Sequence, residues 1–339
     1  MCTSRPSFLM ERIPYIKPYL PLHQQVELLR ARGMNVTDVE RAVNCLQRIG
    51  YYRLSGYWFP FRHQEVRSNL KGDEERHVSE MFRPGTSFDE VMRLYVFDKK
   101  LRLLFIDAIE RIEVGLRVDI ALILGTRGAF AHRSPENFNA YFGRVDSETF
   151  IIPHEEFLRK IDEAFDRSKE DFATSFRLKY TTAMPIWMCI ELWDFGTLSN
   201  VLSGMRSDDL KRLADRYGLP RNKLLISWAQ SINFVRNVCA HHGRLWNRPP
   251  VQQPGPTRQG ELEILDHLAA DQYAQRRLYA VAASLQYLLR TIHPDSSWGL
   301  RLVAHVDSFP KIQGLSIRQM GFAENWINLD LWRSRRLNV

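Results

Sequence analysis

The sequence predicts an all-α protein, a helical bundle preceded by a smaller N-terminal helical module. Three observations carry this reading. Apolar residues recur every three or four positions through several long stretches, no segment sustains the period-two alternation of a strand, and glycine or proline marks the ends of the helical runs. Hydrophobic residues are 45% and charged residues 25% of the 339, which supplies a core and excludes a chain disordered throughout.

From the N-terminus, His23 to Arg32 carries Val26, Leu28 and Leu29, and Gly33 stops it. Thr37 to Gly50 resumes with Val39, Ala42, Val43, Leu46 and Ile49, so the two form a helical hairpin. The run from Tyr51 to Arg62 is too aromatic for a solvated loop and is interrupted by Gly56 and Pro60, which predicts a buried connector. Residues 1–62 are then an N-terminal module, the polar residues 63–87 a linker, and residues 88–339 the bundle.

In the bundle, Val91, Leu94, Tyr95, Leu101, Leu104, Phe105, Ala108, Ile112 and Leu116 form one stripe, predicting a central helix from Phe88 to Leu124. A more polar stretch from Gly125 to Asn137 ends it. A helix follows around Phe157 to Tyr180, then Pro185-Ile186-Trp187 and an apolar run to Leu202. Asn222 to His242 places Leu225, Trp228, Ile232, Val235 and Cys239 on one stripe, with Gly243 just past its end. After a Pro/Gln/Gly loop from Pro249 to Pro256, Asp271 caps a last long helix through Leu278, Val281, Leu285, Leu288 and Ile292. Four long helices make a bundle.

No stretch approaches the roughly 18 to 20 apolar residues of a membrane span; the longest candidate, Ile120 to Leu124, is flanked by Arg117, Asp119 and Arg127. The first residues, Met1 to Pro6, lack the order of a signal peptide, and Cys2, Cys45, Cys189 and Cys239 show no paired spacing. A cytoplasmic protein without membrane partners is expected.

The net charge of +8 favours a polyanionic partner, and its distribution is uneven. Between Arg216 and Gly260 lie Arg216, Arg221, Lys223, Arg236, Arg244, Arg248 and Arg258, and no Asp or Glu. Trp228, Asn233, Phe234, Asn237, Trp246 and Asn247 interleave with them, a mixture suited to phosphate contact beside base stacking. Aromatics packed in a core with arginines reaching outward would give the same pattern.

Within this window, Phe234 to Arg248 gathers a fixed cation, an amide and two imidazoles at a helix end: Arg236, Asn237, His241 and His242. Cleavage of RNA by its own 2′-hydroxyl needs a base, an acid for the leaving 5′-oxygen, and a cation for the phosphorane charge, and histidine with arginine supplies all three. Asn237 and His241 are four apart and share a helix face. Arg236 and His241 are five apart and diverge by about 140°. A complete site is therefore expected where two copies of the helix meet in a homodimer.

Weaker candidates stand beside it. Arg127 and His132 repeat the Arg-to-His spacing in a predicted loop. Cys239, His241 and His242 include metal-ligand types, but their spacing makes them diverge on a helix. Glu110, Arg111 and Glu113 would line the site or form interhelical salt bridges, Arg53 and Tyr57 would face RNA or the core, and Arg333, Arg335 and Arg336 form a basic tail.

The run Arg236-Asn237-Val238-Cys239-Ala240-His241 resembles the R-x4-6-H signature of the HEPN superfamily, which includes many metal-independent ribonucleases. The longer run from Val235 to Arg248 is similar to the Abi-like family of phage-defence proteins, of the AbiD/AbiF type. Ile49 to Trp58, Phe97-Asp98-x-x-Leu101-Arg102, Asp107 to Glu113, Trp193-x-Phe195-Gly196-x-Leu198-Ser199 and Met320-Gly321-Phe322-x-Glu324-Asn325-Trp326 carry the same resemblance, from about Leu20 to Trp332.

The resemblance implies a HEPN-type bundle and an antiphage abortive-infection effector that cleaves RNA without metal or other cofactor. Arg236 would stabilise phosphate charge, His241 act as principal acid and base, His242 as the second, and Asn237 orient. Arg221, Lys223, Arg244, Trp246, Asn247 and Arg248 would bind RNA, pairing is common among HEPN relatives, and some relatives work with a small encoded RNA. The competing class is a non-catalytic RNA-binding or toxin-neutralising HEPN protein. A DNA-binding helix-turn-helix has only Arg41 and Arg48 on its apparent recognition helix.

Overall fold

A computed structural model describes residues 14–16, 18–68 and 74–333. Helices dominate, as the periodicity predicts, and the strands among the described residues form one two-stranded sheet. The chain divides into two compact units, Met1–Tyr95 and Val96–Val339. Cys2, the segment Met1 to Pro6, and Arg335 and Arg336 lie outside the described residues.

The first unit opens with α1 (Leu22–Ala31), stopped at Gly33, whose φ of +92° suits glycine. α2 (Val39–Ile49) begins where the Asp38 carboxylate accepts the Arg41 N–H at 2.9 Å. The aromatic run expected as a buried connector takes the form of a helix, α3 (Tyr51–Trp58), continued by a 3-10 turn over Phe59–Phe61. Leu54, Tyr57 and Trp58 are fully buried, and packing on that face overrides the low helix propensity of Gly56 and the rings.

The described residues of the stretch expected as a linker, 63–68 and 74–87, include two strands. β1 (Arg62–Ser68) and β2 (Glu74–Phe82) pair antiparallel, with Gln64 opposite Val78 and Val66 opposite Arg76. Their polar sequence lacks the apolar alternation that would have announced them. Ser87 and Glu90 then form a capping box that starts α4 (Phe88–Gly125), 38 residues long. The division between the units falls within α4.

In the second unit, α4 buries Leu101, Phe105, Ala108, Ile112, Leu116, Ile120 and Leu124. The helix expected around Phe157 to Tyr180 is two, α5 (Pro153–Arg167) and α6 (Asp171–Lys179), with the Ser168 carbonyl between them held by Arg177 at 2.7 Å. α7 (Ile186–Cys189), α8 (Phe195–Gly204) and α9 (Ser207–Arg216) follow. The Asp194 carboxylate caps α8 by accepting the Thr197 N–H at 2.7 Å. α10 (Asn222–Ala240) packs against α8, α9 and α13.

After a non-helical stretch come α11 (Asp266–Ala269), α12 (Gln272–Gln275), α13 (Leu278–Ile292) and α14 (Trp298–Asp307). One expectation changes here. Asp271 caps the short α12, not the long helix, and the 15-residue α13 is followed only by the shorter α14. Gly321, with φ +94°, brings the chain so close to Arg277 and Tyr279 that an added Cβ would stand 2.7 Å from the Arg277 Cβ. This approach seats Phe322 and Trp326 with Tyr279 and Trp332 in one buried aromatic cluster. Among the described residues no helix is long and apolar enough to cross a membrane.

Candidate active site at the end of α10

The apolar stripe of α10 orients the candidate residues. Leu225, Trp228, Ile232, Val235 and Cys239 are all buried, each aliphatic or aromatic side chain contributing about 1.5–3 kcal/mol. The opposite consequence is that Asn237, His241 and His242 are exposed, and Arg236 is half-buried. Cys239 therefore faces away from both imidazoles, and burial pushes its thiol up to about 12, so the three do not share a face.

The helix ends earlier than the sequence suggests. His241 is the C-cap, its N–H donating to the Asn237 carbonyl at 3.0 Å, and His242 takes the left-handed conformation with φ +57°. The His242 N–H reaches the Cys239 carbonyl at 3.0 Å and the Gly243 N–H the Val238 carbonyl at 2.7 Å, a Schellman closure. Glycine usually holds the left-handed position; here a histidine does, and Gly243 lies one residue beyond. A side chain there costs about 1–2 kcal/mol.

A buried acid on α4 offsets that cost. The Asp98 carboxylate accepts the Leu245 N–H at 3.1 and 3.2 Å through its two oxygens, and the Trp246 N–H at 2.7 Å. Asp98 also pairs with Arg102, which donates to the Gly243 carbonyl at 3.3 Å. Hydrogen bonds to a charged group contribute about 1.5–3 kcal/mol each, so the contacts outweigh the strain. The Phe97-Asp98-x-x-Leu101-Arg102 segment thus holds the turn that follows the two histidines. Neither residue was singled out from the sequence as part of the site, because the partners lie 147 and 148 positions away.

Arg236 lies within electrostatic reach of Glu113 on α4. Burial raises the Glu113 carboxyl while Arg117 and Arg236 pull it down. Arg117 donates to Glu113 at 2.5 Å and to the Trp193 carbonyl at 2.6 Å. Of the three charged residues Glu110, Arg111 and Glu113, Glu113 feels the α10 arginine through space while pairing with Arg117. Arg111 instead pairs with Asp107.

The expected RNA-contacting residues separate into three groups. Arg244, Asn247 and Arg248 stay beside the histidines, with the exposed Arg248 guanidinium 5.7 Å from the centre of the Phe234 ring. Trp246 does not serve as a stacking platform: it is fully buried and packs near Phe309. Arg221 and Lys223 lie at the other end of α10, so Lys223 is about 27 Å along the axis from His241 at 1.5 Å per residue. Arg221 is moreover paired with Glu261 at 2.8 Å.

The acid-free window is also less basic in space than in sequence. Asp119 pairs with Arg216 at 3.1 Å, and Glu261, one position past the window, pairs with Arg221 and lies 3.8 Å from Arg258. Arg248, within the window, is exposed over the Phe234 ring.

The second Arg-to-His spacing is structural. Arg127 pairs with the buried Asp209 at 2.6 Å. His132 is fully buried, with neither ring nitrogen bonded, and burial pushes its imidazole down to about 4. Tyr57 is likewise buried, whereas Arg53 is exposed.

The model of the Abi-like protein family matches residues 44–247, more than half of the chain. The chain belongs to the Abi-like protein family. The matched span of this Abi-like protein includes Asp98, Arg102, Glu113, Arg236, Asn237, His241 and His242, and ends one residue before Arg248. The aromatic cluster around Trp326 lies beyond it. No curated protein and no solved structure matches the chain.

Proposed function

We propose that this Abi-like protein is an abortive-infection effector of phage defence that cleaves RNA at the C-terminal end of α10, as a HEPN-type ribonuclease. The observation that carries the reading is the exposure of Asn237, His241 and His242 at the C-terminal end of α10, next to a turn held by buried contacts. Preorganised groups of this kind can act on a bound phosphodiester without reorganising.

In the proposed reaction one imidazole takes the proton of the RNA 2′-hydroxyl. The 2′-oxygen attacks phosphorus, the bond from phosphorus to the 5′-oxygen breaks, and a protonated imidazole gives that oxygen its proton. The products are a 2′,3′-cyclic phosphate and a 5′-hydroxyl. His241 is assigned the principal acid and base role, His242 the second, Arg236 the phosphorane charge, and Asn237 the orientation. No step calls for a metal. Arg244 and Arg248 bind flanking phosphates, and the partners are RNA, including a dedicated small RNA, and a second copy of the chain that completes the site.

The non-catalytic RNA-binding reading draws on one observation, the influence of Glu113 on Arg236 through space, which tempers the cation while the hydrogen bond of Glu113 goes to Arg117. Purified wild type, His241→Ala and His242→Ala, incubated with single-stranded RNA, separate the two. Cleavage by wild type that is lost in His241→Ala supports catalysis. Equal binding by all three with no cleavage by any supports the alternative.

A further inference from the structure

We infer that Asp98, together with Arg102, is a positioning residue for the α10 site: it sets the course of the turn from His242 to Trp246 and so the direction in which the two imidazoles face. The inference rests on the reading of that turn as an RNA-cleaving site. The carboxylate is fully buried on α4, so Asp98 does not touch substrate and is not itself catalytic.

Two anchorages bracket His242. Upstream, the Val238 and Cys239 carbonyls of α10 take the N–H groups of Gly243 and His242. Downstream, Arg102 holds the Gly243 carbonyl, and Asp98 holds the amides of Leu245 and Trp246. Both downstream contacts come from one pair of side chains, spaced i and i+4 on α4 and joined to each other. The residue between the anchorages is the one that stands in the left-handed region, a conformation a non-glycine side chain leaves when released. Loosening the pair therefore frees His242 first and His241 with it, while α10 itself stays packed through its buried stripe.

Trp246 shows the same logic from the other side. Its ring is buried against Phe309, so once Asp98 has fixed the backbone at 245 and 246 the chain between α10 and that ring has little slack. Asp98 thereby makes the long α4 helix the reference against which the imidazoles are set.

The test compares wild type with Asp98→Asn, which keeps an acceptor of the same shape but removes the charge facing Arg102. The control is Val281→Ala, a core truncation on α13, and all proteins are measured well below their melting temperatures. Imidazole proton and carbon resonances of His241 and His242, RNA affinity and cleavage rate are followed. Both pairs of resonances should shift in Asp98→Asn and stay in Val281→Ala, with kcat reduced at least tenfold and RNA Kd within twofold of wild type. A folded Asp98→Asn with wild-type imidazole resonances would overturn the inference. If wild type cleaves no RNA the proposed function fails, and the resonances still decide the positioning. Should Asp98→Asn not fold, Arg102→Gln, which leaves the carboxylate on its two amides, gives the same comparison.

Discussion

The Asp98 carboxylate accepts the backbone N–H of Trp246 at 2.7 Å, a bond between the long α4 helix and the turn that leaves α10. It is fully buried and joined by Arg102 and the Leu245 N–H, so removing the acid takes the countercharge from Arg102 and the acceptor from two amides. Breaking a buried pair from one side costs about 3–5 kcal/mol. Asp98→Ala should lower the unfolding free energy by that amount, read as a fall in the urea midpoint with an unchanged slope; a loss below about 1 kcal/mol would mean the contacts are not formed in solution.

Acid should destabilise the fold through buried neutral histidines. His132 is held near 4 by burial, and burial also lowers His154 and His305. Because the folded value lies below the ordinary value of 6.5, the unfolded chain takes up the proton first as pH falls. Stability is therefore complete above about pH 6.5 and declines toward pH 4. His132 alone should contribute a loss of about 2–3 kcal/mol between pH 7 and 4.5. Urea titrations of wild type and His132→Leu across this range check it: the variant should show a visibly shallower decline, and identical slopes would contradict the assignment.

RNA binding should depend on Arg248 and not on Arg221. Arg248 is exposed over Phe234 beside the histidines, whereas Arg221 is committed to Glu261 at the far end of α10. Arg248→Ala should flatten the plot of log affinity against log salt by about 0.7 to 0.9 for each phosphate left without its arginine. Arg221→Ala should leave the slope unchanged. The reverse pattern would move the RNA to the N-terminal end of α10.

A site completed by two chains should show interference in mixtures. With free exchange at equal amounts, wild-type pairs are about a quarter of all dimers of a two-fold assembly. Adding inactive His241→Ala chains should therefore suppress cleavage below the share of wild-type chains present. Activity strictly proportional to wild-type chains, or full activity from a demonstrated monomer, would contradict a composite site.

The helical character of the chain was legible because a buried helix face must repeat every three or four residues, and α4, α10 and α13 do so throughout. Leu101, Ile112 and Leu116, Ile232 and Val235, and Val281 and Leu285 are all buried as their spacing requires. What was not legible depends on distant partners or on patterns too weak to register. The strands at 62–82 carry charge where a half-buried strand would carry alternating apolar residues, and α9 is short, with few apolar residues to show a period. Trp246 looked like a stacking residue because its burial against Phe309 is invisible locally. The acid-free window from Arg216 to Gly260 looked strongly basic because Asp119 and Glu261 come from outside it. The four residues Arg236, Asn237, His241 and His242 were picked out from their chemistry, and the structure leaves Asn237, His241 and His242 exposed and Arg236 half-buried. Asp98 holds the amides of Leu245 and Trp246, and Glu113 feels Arg236 through space, relations that no local pattern announces.

The most direct test of the central claim is the chemistry of the RNA ends. Purified protein and single-stranded RNA are incubated in EDTA, alongside His241→Ala, and the product termini are identified. The account predicts cleavage that survives the chelator and leaves 2′,3′-cyclic phosphate and 5′-hydroxyl ends, absent in His241→Ala. Cleavage abolished by EDTA and restored by Mg²⁺, or products carrying 3′-hydroxyl and 5′-phosphate ends, would contradict it.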